Sequence, residues 1–174
     1  MRLRQSHRRH CALAALAALV ALVLAGCAAG SPQTGAKTFL SEHSGAAANI
    51  AKSTKQLQLE VSRLSSAPSA SQLSVLARTA AEAHRGLIAA SEWSVAGQGE
   101  EGAEEEDVPR AETQVIEGAT ELAAAVALLS AHPGAPRASA LAGYRSKLAP
   151  GRGEWDEGIS QLWYLAHASH PPTL

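Results

Sequence analysis

The sequence predicts an all-α fold, an up-down-up-down four-helix bundle. Three observations carry that reading. Apolar residues recur at spacings of three and four through four separate stretches, which marks one stripe per helix. No run alternates β-branched and aromatic residues with polar ones, so strand signals are missing. Alanine, the strongest helix former, is abundant while large apolar side chains are thin. A core made from such residues has to come from close helix approach.

The first helix is expected over 37–65, where Leu40, His43, Ala47, Ile50, Thr54, Leu57, Val61 and Leu64 share a stripe. Ser65-Ser66-Ala67-Pro68 ends it. Ser69 and Gln72 have the spacing of a capping box, in which each side chain satisfies a free backbone N–H at a helix start. The second helix then runs over about 71–96, with Leu73, Leu76, Ala80, Ala83, Leu87 and Ala90 on its stripe, and ends at Gly97 and Gly99. Residues 97–107, GQGEEGAEEED, hold six acids and three glycines and read as a solvated, mobile loop.

The third helix starts at Val108 or Pro109. The acids before it favour the positive end of its dipole, and proline fits its first turn. Its stripe is Val115, Ala119, Leu122, Val126 and Leu129, and it closes at His132 ahead of Pro133-Gly134. The fourth, 138–168, carries Leu141, Tyr144 and Leu148, then Trp155, Ile159, Leu162 and Ala166. Pro150-Gly151-Arg152-Gly153 interrupts it, and a proline inside a helix removes one hydrogen bond. The last helix is therefore expected to be broken or kinked at 149–153, the Gly151-x-Gly153 pair to act as a breaker, and the tail from His167 to Leu174 to end the helix and fray.

Short connections make neighbouring helices antiparallel. One end of the bundle then gathers Phe39, Trp93, Trp163 and Tyr164, four of the six aromatics, with His43, His167 and His170. Trp93, Trp155, Trp163 and Tyr164 are the candidates for stacking on a ligand, although tryptophans eight apart on one helical face most often pack a core. Trp163 is expected to face inward and meet Phe39, Leu40, His43, Ala90 and Trp93. His43, with the pair His167-x-x-His170, is the one candidate metal set. Glu117 and Glu121, four apart, read as a solvated polar face. The Glu-x-x-His pairs of di-iron bundles and the Cys-x-x-Cys-His of covalent haem are missing, and no serine is marked as a nucleophile. No cofactor and no enzymatic activity are expected.

The N-terminus says where the chain works. Arg2, Arg4, Arg8 and Arg9 precede an uncharged run from Cys11 to Gly26, sixteen residues against the roughly 20 of a membrane-spanning helix. Leu24-Ala25-Gly26-Cys27 resembles the lipobox of bacterial lipoproteins. That resemblance covers residues 1–27 only. It implies that 1–26 are a signal peptide, that Cys27 is acylated, and that the rest is extracytoplasmic and anchored to the cell membrane by its lipid. Residues 27–36 are then the lipidated cysteine and a flexible tether, and 37–168 the bundle domain.

Without residues 1–26, eleven basic residues face sixteen acidic ones, a net charge of −5, which argues against nucleic acid as a partner. Cys11 and Cys27 are the only cysteines and Met1 the only methionine, so the domain has no disulfide, no cysteine metal site and no methionine copper site. The sequence thus points to a non-enzymatic interaction module of the cell envelope, bound to the membrane and to an envelope protein. A small-ligand or metal carrier using the aromatic and histidine end is the alternative.

Overall fold

A computed structural model describes residues 31–95, 107–130 and 136–174. The signal region with Cys27, nearly all of the acidic loop 97–107, and Pro133-Gly134 lie outside the described residues. Among the described residues four helices follow in order: α1 (Pro32–Ser62), α2 (Ala70–Ser91), α3 (Asp107–Ser130) and α4 (Ala138–Leu165). Among the described residues there is no strand, and no helix is long and apolar enough to cross a membrane. The fold is an all-α four-helix bundle.

α1 begins at Pro32, so the expected tether is helical over 32–36. Proline suits a first helical position because its missing N–H would have had no partner there. Gly35 packs against α3: a β-carbon built on it would lie 3.4 Å from Val108 Cγ1. The capping box on α2 is present, with Gln72 N–H donating to Ser69 Oγ at 3.2 Å and Ser69 N–H to Gln72 Oε1 at 2.9 Å. α2 ends at Ser91, so Trp93 lies past the helix, where its N–H donates to Ala90 O at 3.1 Å.

Packing is most extensive between α3 and α4, then between α2 and α3 and between α1 and α2. α3 buries more than its expected stripe, adding Val108, Ala111, Glu112, Gly118, Ala123 and Ala125. Glycine makes the α3–α4 contact possible. A β-carbon on Gly118 would lie 2.5 Å from the Trp155 backbone nitrogen and 2.8 Å from Gly151 O. One on Gly158 would lie 2.5 Å from Ala111 O, and one on Gly151 would lie 3.0 Å from Leu122 Cγ. These pairs run in opposite directions along the two chains, so α3 and α4 are antiparallel.

The expected break at 149–153 is absent. α4 is one helix through Pro150. Pro150 and Ser146, whose carbonyl loses its N–H partner, both lie on the exposed face, where water replaces the lost bond. Gly151 is not a breaker. It is buried, and the α3 backbone lies against it.

The tail does not fray either. Ala168 N–H donates to Trp163 O at 2.9 Å and His167 N–H to Tyr164 O at 3.0 Å, the paired bonds of a Schellman cap. His167 takes the left-handed position that glycine usually fills, with φ 56°, and His170 follows with φ 62°. Each costs about 1–2 kcal/mol in an L-residue, and histidine is among the side chains enriched there. The two turns send residues 171–174 back along α4. There Trp155 Nε1–H donates to Pro172 O at 3.3 Å and Leu174 N–H donates to Asp156 Oδ1. Leu174 is buried.

The glycine contacts predict opposite responses to one methyl group. Gly118→Ala or Gly158→Ala should destabilise the bundle by about 1–3 kcal/mol, the usual cost of overpacking. Gly153→Ala meets nothing within 4 Å and should stabilise it, by up to about 1 kcal/mol. Urea denaturation of the three variants checks both.

Candidate functional site

The aromatic cluster sits where α1, the segment after α2, and α4 converge. Phe39 and His43 are one helical turn apart on α1, and their rings meet edge to face at 4.9 Å. The turn after α2 brings Trp93 over both. It stacks on His43 at 4.2 Å with 15° between planes and meets Phe39 edge-on at 5.6 Å. Trp155 closes the far side, 6.3 Å from Trp93. Phe39 and Trp155 are buried, whereas Trp93 and His43 are half-buried.

Of the four candidate aromatics, the structure thus joins Trp93 and Trp155. Trp163 is buried but is not the partner of this cluster. The ring that reaches Trp93 is Trp155, two turns earlier on α4. The α3–α4 register, with Gly158 against Ala111 and Val115, runs the residues after it towards the start of α3. Tyr164 is 78% exposed and stands apart from the cluster.

The candidate metal set is not brought together. His43 is in the cluster, while His167 and His170 are exposed residues of the backbone turns after α4. Among the described residues no group of three His, Cys, Asp or Glu side chains is placed to hold an ion. Glu117 and Glu121 are exposed, as expected, and line an open surface groove with Thr120 and Glu154.

Beside Trp93 a groove of about 230 Å³ runs between α1 and α2. Ile50, Gly86 and Trp93 form part of its lining, with Asn49, Ser53 and Glu82 as polar groups. Gly86 lets α1 approach: a β-carbon there would lie 2.9 Å from Ile50 Cγ1. One buried group escaped the sequence reading. Glu112 is 2% exposed on α3. Its position four residues after Val108 and three before Val115 puts a carboxylate on the apolar stripe, and that spacing was the available signal. Tyr144 is 1% exposed and burial pushes its hydroxyl up to about 12. No protein-family model, curated protein or solved structure matches the chain.

Burial in the cluster lowers the His43 pKa, with Glu42, 3.8 Å away, partly opposing the shift. The unfolded chain takes up this proton at the ordinary value of 6.5, the folded chain only at lower pH. Within that window the unfolded state binds more protons. The contribution of neutral His43 is therefore complete above pH 6.5, falls as pH drops through the window, and levels off once folded His43 is also protonated. His43→Phe, which keeps an aromatic ring against Trp93, should flatten this part of the profile. Urea midpoints of both proteins from about pH 8 to about pH 5 check it.

Proposed function

We propose that the chain is a lipid-anchored, extracytoplasmic helical-bundle lipoprotein, a non-enzymatic interaction module of the cell envelope. One observation carries the reading: Leu24-Ala25-Gly26-Cys27 follows a basic and then an apolar stretch, five residues before α1 begins at Pro32. Acylation at Cys27 ties the bundle to the membrane through a short stretch of chain. Stable anchoring takes more than one acyl chain, and the bacterial lipoproteins that this motif resembles usually carry two or three on the cysteine. The partner on this reading is an envelope protein, met by a bundle surface.

A second reading rests on the groove beside Trp93. Its apolar lining with a few polar groups has the character of a small-ligand site. The metal form of that reading loses its motive, since His43 lies apart from His167 and His170.

Cys27→Ser tests the first reading. Serine offers no sulfur for the thioether to diacylglycerol. The variant should incorporate essentially no labelled fatty acid and should accumulate as an unprocessed precursor or leave the membrane fraction. Undiminished labelling of the variant overturns the anchor.

A further inference from the structure

The way residues 171–174 sit on α4 has the chemistry of peptide recognition. An indole N–H donates to a backbone carbonyl beside a proline: Trp155 Nε1 to Pro172 O, 3.3 Å. A carboxylate receives a backbone N–H, that of Leu174, on Asp156 Oδ1. The other Asp156 oxygen is held by Arg152 Nε at 3.2 Å, so the acceptor is fixed in place from one turn away. An apolar side chain, Leu174, is 3% exposed against the bundle. Pro171-Pro172 brings two preset φ angles, which lowers the entropy of docking. Thr173 N–H closes a tight turn on Pro171 O at 2.9 Å, which directs Leu174 inward.

Two further features separate this seat from an ordinary helix end. The path to it passes through two left-handed histidines, His167 and His170, so the seated tail carries backbone strain that the contacts have to offset. The indole that binds the tail also touches Trp93, in the ring stack with His43. The seat and the aromatic cluster thereby share one side chain.

We infer that Trp155 and Asp156, with the pocket that holds Leu174, form a peptide-binding site occupied in cis by the chain's own residues 171–174, and that a partner presenting a proline pair with an apolar residue two positions further on displaces this strap. This deepens the interaction-module reading by giving the chemistry of the partner. The strap acts as a built-in competitor: a tethered segment holds an effective concentration of about millimolar. A partner in trans has to exceed it or bind more tightly.

The test uses detergent-solubilised full-length protein and a capped peptide copying His170 to Leu174. The readout is the Trp155 indole ¹H–¹⁵N resonance, assigned with Trp155→Phe. In a chain ending at His170 the resonance should shift, and the peptide at millimolar concentration should return it. The intact chain should need at least tenfold more peptide. Asp156→Ala in the shortened chain should weaken the response at least tenfold. Should the shortened chain fail to fold, Leu174→Asp in the intact chain loosens the strap and should admit the peptide at lower concentration than the unaltered chain does. A peptide that leaves the resonance unmoved in both, that acts equally on the intact chain, or that works as well with both prolines replaced by alanine makes the strap a structural clasp and overturns the site. Neither the detergent nor the readout depends on the lipid. Failure here leaves the Cys27 anchor standing, and an unlipidated protein leaves the peptide site standing.

Discussion

The backbone-to-backbone approach of α3 and α4 is the constraint from which the other features follow. Gly118 and Gly158 leave no room for a β-carbon and Gly151 only a tight one, so the two helices meet main chain to main chain. A bundle rich in alanine has few large side chains to interlock. It gains dispersion by shortening the distance between helices instead, because interiors are stable only when close-packed. Glycine inside a helix costs up to about 1 kcal/mol against alanine, and here the close contact offsets it. Gly153, with open space around it, has no such compensation.

That contact also places the chemistry. The Trp155 backbone nitrogen lies against Gly118, so the indole leaves α4 from a fixed point and reaches Trp93 on one side and Pro172 on the other. Asp156, the next residue, is turned about 100° around the helix axis and faces the returning tail. One helix turn thus serves the core, the aromatic cluster and the strap together. His43 enters the same assembly by stacking on Trp93, at the cost of a lowered affinity for its proton.

Much of the helical plan was legible because it depends on local spacing. The Ser69–Gln72 capping box, the α2 stripe and the α3 stripe needed only neighbouring residues to be read. Pro150 misled because a proline is judged by the hydrogen bond it removes, and that loss is small where the orphaned carbonyl faces water. Gly151 misled for a related reason: a breaker and a packing notch are the same residue, told apart only by what lies across from it. The tail reads as a fraying end, yet two histidines in left-handed turns and two long-range hydrogen bonds seat it. No spacing rule reports bonds seventeen and eighteen residues apart.

By itself the sequence determined the fold class, the number of helices, the capping box, the absence of a disulfide from the bundle and the expectation of a lipid at Cys27. Each of these is a property of composition or of residues a few positions apart. The tertiary structure decided that Trp155 and not Trp163 meets Trp93, that the three candidate histidines do not converge, that α4 runs unbroken, and that residues 171–174 bind back onto α4. Those outcomes depend on the axial register between helices, and register is set by which glycines admit a neighbouring backbone. That choice is made across the interface and leaves no periodic trace along either strand of sequence.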